Sequence, residues 1–191
     1  MGYNIDEFKI ILEERLSKKR LTHSFNVADE AVKLANMWGA DAEKAYVAGL
    51  LHDVCKEISR VEQRKLVEKS RKDVTAEEIS IPQLWHGIAG EVYCNTDLGI
   101  NDDDILNAIR YHTVARKGMS LLEEIIYLAD LTSADRDYSD VDYVRKLCKK
   151  NISDAMLYAL QYSITDVIEK KSVLPRHTVE AYNQYALSER K

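Results

Sequence analysis

In the stretch Ala48-Gly49-Leu50-Leu51-His52-Asp53-Val54-Cys55-Lys56, an imidazole and a carboxylate stand side by side directly after an apolar run. Neighbouring residues on a helix project about 100° apart, so His52 and Asp53 do not share one face, yet both can flank one metal ion at a helix end. An isolated His-Asp pair more often caps or bridges locally, and the other histidines argue against that reading here. Four of the five histidines, His23, His52, His86 and His112, lie in segments with a helical apolar pattern, whereas His177 does not. Asp130 follows Ile125-Ile126-Tyr127-Leu128-Ala129, surroundings in which a carboxylate is costly unless paired or coordinated. Together these groups form a ligand inventory for a divalent metal, and the absence of a thiolate among them argues against a structural zinc knot.

The elements that must position these ligands are helices. Only 7 Gly and 2 Pro occur in 191 residues, too few for a turn-rich β architecture, so an all-α fold is expected, built as a single domain with a substantial core. The formal net charge is -5 and the basic residues are scattered, which gives no footprint for duplex nucleic acid. Cys55, Cys94 and Cys148 form no Cys-x-x-Cys pair, so a disulfide framework is not expected. The first residues lack a basic start followed by an apolar stretch, and no apolar run approaches the ~20 residues that span a bilayer, so a cytoplasmic location is the expectation.

Asn4 with Glu7 predicts a capping box for a helix to about residue 18. A second helix is expected from near Leu21 to Gly39, with Leu21, Phe25, Ala28, Val32, Ala35 and Met37 as its apolar positions and His23 in its first turn. Asp41 caps a third that delivers His52 and Asp53. Residues 59 to 80 read as one surface helix and a short turn with solvated charges. Trp85-His86-Gly87 opens a helix that stops before Gly99, Asp102 to Asp104 cap one ending at Tyr111-His112-Thr113, and Ser120 with Glu123 opens the helix carrying Asp130. Helices are expected over 140 to 150 and 152 to 171, and a last one after the Leu174 to Thr178 segment.

The ordered set His23, His52-Asp53 and Asp130 resembles the HD-domain superfamily of metal-dependent phosphohydrolases. More closely, Arg20-x-x-His23, Gly-Leu-Leu-His-Asp-x-x-Lys, His86-Gly87, Tyr111-His112-Thr113, Met119-Ser120 and Tyr127-Leu128-Ala129-Asp130, followed by Arg136, resemble the bacterial YqeK-type subfamily, symmetrical hydrolases of diadenosine tetraphosphate. Val114-Ala115 departs from the hydroxyl and glycine that similar proteins often carry there. The resemblance implies a helical bundle of the HD type, with a metal-binding core over about 18 to 136 and C-terminal helices over about 140 to 188 packing on it. It also implies iron as the native metal, with manganese or cobalt as alternatives and one or two ions per chain.

On this basis His23, His52, Asp53 and Asp130 are assigned as metal ligands. Asp53 is also placed to orient the attacking water, and His86 and His112 either to hold a second ion or to steady phosphate charge and proton movement. Arg20 lies one helical turn before His23 and Lys56 one turn beyond His52, so both can reach phosphate. Thr113, Arg136 and the segment Pro175, His177 and Thr178 are further candidates for nucleotide contact. The leading expectation is cleavage of diadenosine tetraphosphate into two ADP. The alternatives are an HD-type phosphohydrolase of other nucleotides and a metal-dependent nucleotide-binding module without turnover. Oligomeric state stays open, a homodimer among the options.

Overall fold

A computed structural model describes residues 2–188. Among them the chain forms α1 (Ile5–Arg15), α2 (Lys18–Trp38), α3 (Ala42–Leu51), α4 (Arg60–Val67), α5 (Ala76–Ser80), α6 (Trp85–Thr96), α7 (Asp103–Tyr111), α8 (Leu121–Thr132), α9 (Val141–Lys150), α10 (Ile152–Glu169) and α11 (Arg176–Ser188), with a 3-10 turn over Pro82–Leu84 leading into α6. The described residues contain no strand. Among the described residues no helix is long and apolar enough to cross a membrane.

Several starts follow from side chains that satisfy first-turn N–H groups. Asp41 accepts from Glu43 and Lys44, Asp102 from Asp104 and Ile105, and Ser120 with Glu123 closes a capping box. Each such cap is worth about 1 kcal/mol. At α1 Asn4 accepts from the Glu7 N–H, but the Glu7 carboxylate accepts from the Asn4 side-chain amide rather than from its backbone N–H. Helix α2 begins at Lys18 behind a Ser17 cap, earlier than the apolar pattern indicates, and α11 begins at Arg176, inside the segment expected to precede it.

Helix α3 is the centre of the fold. Ala45, Val47, Ala48, Gly49, Leu50 and Leu51 are all buried, the signature of a helix covered on every side. It packs against α2, α7 and α8, with α6 laid on α7 and α4 on α6; α10 lies on α8 and α9, and α11 on α10. The α2–α3 crossing depends on Gly49, because a Cβ there would stand 2.8 Å from the Ala28 Cα. Backbone cannot yield as a flexible side chain would, so any larger residue pushes the two helices apart. The buried stripe of α2 is therefore His23, Ser24, Val27, Ala28, Ala31, Leu34 and Ala35; Met37 is 48% exposed, contrary to the apolar reading.

After α7, Ala115 adopts φ 55, a left-handed conformation that disfavours side chains. At this position the sequence departs from the glycine that similar proteins often carry. Its N–H donates to the Tyr111 carbonyl and turns the chain away from the helix end.

Candidate metal centre

His23 lies in α2, His52 and Asp53 just beyond α3, His86 in the first turn of α6, His112 just beyond α7 and Asp130 in the last turn of α8. The C-terminal ends of α3, α7 and α8 thus point at one place, and each brings the partial negative charge of its unpaired carbonyls. Such a place suits a cation.

Three of the histidines are aimed by one device. The Nδ1 of His52 donates to the Gly49 carbonyl at 2.7 Å, that of His86 to Gln83 at 2.8 Å and that of His112 to Ile109 at 2.8 Å. A carbonyl only accepts, so each Nδ1 carries the proton and each Nε2 presents a lone pair. At His23 the Nδ1 partner is the Asp135 carboxylate at 2.8 Å, itself held by Asn26 at 3.0 Å, a carboxylate–histidine arrangement that raises ligand basicity.

The four Nε2 atoms converge. His86 and His112 place theirs 3.1 Å apart, and His23 Nε2 lies 3.0 Å from Asp130 Oδ1. His52 Nε2 is fully buried without a hydrogen-bond partner, as is Asp53 Oδ1, which lies 3.3 Å from His86 Nε2 and 3.6 Å from His112 Nε2. Facing acceptors in a dry interior need a proton or a metal between them. His23, His52 and Asp130 form one group whose ligand atoms lie within 4.8 Å of one another, and His52, Asp53 and His112 form a second. The four ligands read from sequence are brought together, with His112 added to one group and His52 shared by both. Neutral nitrogens and carboxylates in this number fit a divalent ion of the imidazole-favouring series.

Cations surround the cluster. Arg20 donates to Asp53 Oδ2 at 2.8 Å, Arg136 pairs with Asp130 while its Nε donates to the Asp130 carbonyl at 2.6 Å, and Lys56 Nζ lies 3.0 Å from His86 Nε2. Burial alone would push the Asp53 and Asp130 carboxyls up, but the neighbouring histidines, with Arg136 at Asp130, hold both below the usual carboxylate range. Burial, with Lys56 beside it, pushes His86 well down, which keeps it neutral. Burial also lowers Lys56, against the pull of Asp53.

The remaining sequence candidates lie elsewhere or contribute less. Thr113 is half-buried directly after His112. Pro175 is buried at the start of α11, Thr178 donates to the Val114 carbonyl at 2.8 Å, and His177 packs edge-on against the Tyr111 ring with Glu78 3.8 Å away. Among the described residues, none of their polar contacts reaches the histidine cluster. Asp135 went unnoticed in the sequence: it stands in the turn after α8, where an acidic residue signals nothing by itself.

A protein-family model described as "HD domain" matches residues 20–135. A Bacillus subtilis protein named bis(5'-nucleosyl)-tetraphosphatase, symmetrical, is 32% identical, with 94% of this chain and 96% of the relative covered. A protein of the same name from Halalkalibacterium halodurans is 34% identical at the same coverage. The crystal structure of a predicted HD superfamily hydrolase involved in NAD metabolism, from Clostridium acetobutylicum, superposes with a TM-score of 0.93 at 36% identity, covering 100% of both chains. The chain belongs to the HD domain family and, over nearly its whole length, to the branch that these bacterial relatives represent.

Proposed function

We propose that this protein hydrolyses diadenosine tetraphosphate symmetrically to two ADP, using a divalent metal held by His23, His52, Asp53 and Asp130. The reading rests on the convergence of four Nε2 atoms, that of His52 without a hydrogen-bond partner, and two carboxylates under a rim of Arg20, Lys56 and Arg136, and the names of the full-length relatives agree with it. The bound ion would polarise a phosphate oxygen and make water acidic enough to attack at neutral pH. Iron is the metal proposed.

The chain's own groups do the rest. Asp53 Oδ1, buried and without a hydrogen-bond partner, orients the attacking water. His86, held neutral, and His112 stand at its edge to take the proton that water loses. Arg20, Lys56 and Arg136 neutralise phosphate charge as it moves onto the leaving ADP. Thr113 is proposed at the lip of the site. Pro175, His177 and Thr178 remain proposed nucleotide contacts; Thr178 donates to the Val114 carbonyl, while the His177 Nε2 has no hydrogen-bond partner among the described residues.

Metal-loaded protein offered a panel of mono- and dinucleotides, with products followed by chromatography, tests the substrate. Diadenosine tetraphosphate consumed faster than any mononucleotide is the expected result; rapid turnover of a mononucleotide alone would replace this reading. In Lys56→Ala we expect kcat/KM to fall roughly 100-fold, the size of loss seen when one transition-state donor is removed, with metal content unchanged. Metal analysis and kinetics on the same sample check this; loss of the metal would show that Lys56 supports the ligands instead.

A further inference from the structure

Beside the metal centre opens a cavity of about 500 Å³, within the range of small-molecule sites. Its wall includes His23, Arg20 and Arg136, the last two bonded to Asp53 and Asp130 of the cluster, and Lys19, which forms no ion pair among the described residues. The rest of the lining is two carboxylates, Asp135, which is engaged with His23, and the exposed Asp137, together with an apolar set, Leu131, Tyr138 and Tyr162. The two tyrosine rings lie 5.2 Å apart between centroids and tilted by 30°.

The fold does not account for Tyr162. The buried face of α10 is Ala155, Met156, Leu157, Ala159 and Leu160, and Tyr162 stands off it, 40% exposed. Neither tyrosine hydroxyl has a hydrogen-bond partner among the described residues. An exposed aromatic ring, held at a fixed tilt by a second ring and sharing a cavity with cations, matches what a nucleoside phosphate requires: a flat apolar face for the base and positive charge for the phosphates.

Resting on the proposed reaction, we propose that Tyr162, backed by Tyr138, is the stacking platform for one nucleobase of the substrate and of the ADP product, and so a specificity residue that separates nucleotides from bare polyphosphate. Arg20 and Arg136 would then hold the phosphates leading from that base to the metal centre. Tyr138 is the half-buried partner that fixes the Tyr162 ring, so the test is made at Tyr162.

Calorimetric titration of metal-loaded protein with ADP, and separately with inorganic pyrophosphate, gives the readout without any turnover. Base-aromatic stacking is worth about 1–3 kcal/mol per base, so Tyr162→Ala should weaken ADP binding roughly 5- to 150-fold. Pyrophosphate affinity should stay as in the wild type, and Tyr162→Phe should restore ADP binding. Unchanged ADP affinity in Tyr162→Ala, or an equal loss for pyrophosphate, would overturn the assignment. A wild type that binds ADP through Tyr162 but leaves diadenosine tetraphosphate intact would overturn the proposed reaction alone.

Discussion

His52→Ala and Asp53→Ala are each expected to remove the metal and to cut hydrolysis by at least about 1,000-fold, since the several kcal/mol that a bound ion gives the transition state disappear with it. The helices should survive. The imidazole of His52 makes one hydrogen bond, to a carbonyl at the end of α3, and its other nitrogen has no partner within the protein. Removing it relieves crowding among acceptors as much as it opens a void. Asp53 is different in detail, because Arg20 loses its partner, but Arg20 is only part-buried and water can take over. Metal content, turnover and far-UV circular dichroism measured on one preparation check the prediction. Full metal together with full turnover in either variant would refute the ligand assignment.

The largest effect on stability is expected away from the centre, at the pair Arg110–Glu78, 2.8 Å apart with side chains 1% and 0% exposed. The two charged groups are in direct contact and sealed from solvent. Glu78 also closes the capping box of α5 with Thr75, so it ties that short helix to α7 just before His112. Arg110→Met leaves a carboxylate buried without its cation and should cost about 3–5 kcal/mol, read as a fall in Tm or in the denaturant midpoint. The double variant Glu78→Leu with Arg110→Met should recover most of that loss, because neither charge is then stranded. Burial alone would raise the Glu78 carboxyl, and Arg110 holds it below its ordinary value of 4.5 instead. A depressed carboxyl contributes stability above the unfolded value that is lost as pH falls through the folded one, so this contribution is present at neutral pH and disappears in acid. Arg110→Met should flatten that part of the acid unfolding curve.

Most of the candidate cluster was legible where a sequence pattern breaks, because a polar residue at the end of an apolar helix stands out. His52, His112 and Asp130 all show this, and the caps Asp41, Asp102 and Ser120 bracket the helices that carry them. What stayed hidden depends on partners distant in the chain. The buried face of α2 is set by the close approach of Gly49 to Ala28 and includes the polar His23 and Ser24, so a count of large apolar residues picks Met37 and passes over Ala31. Glu78 lies in a charged stretch that is otherwise mostly solvated, and only the fold reveals that Arg110 reaches it. Asp135 belongs to the same class: an ordinary surface letter until α2 brings His23 and Asn26 against it. The Ala115 position worked the other way, since a departure from glycine noticed in the sequence coincides with a left-handed backbone.

The central claim concerns where the tetraphosphate bridge is cut, and product analysis in oxygen-labelled water tests it most directly. If the metal centre engages an inner phosphate and Arg20, Lys56 and Arg136 neutralise the phosphates beside it, water attacks so that the leaving group is ADP. Chromatography of the first turnovers should show ADP alone, with one labelled oxygen per substrate cleaved, because water rather than a side chain is the nucleophile. ATP and AMP in equal amounts would contradict the account.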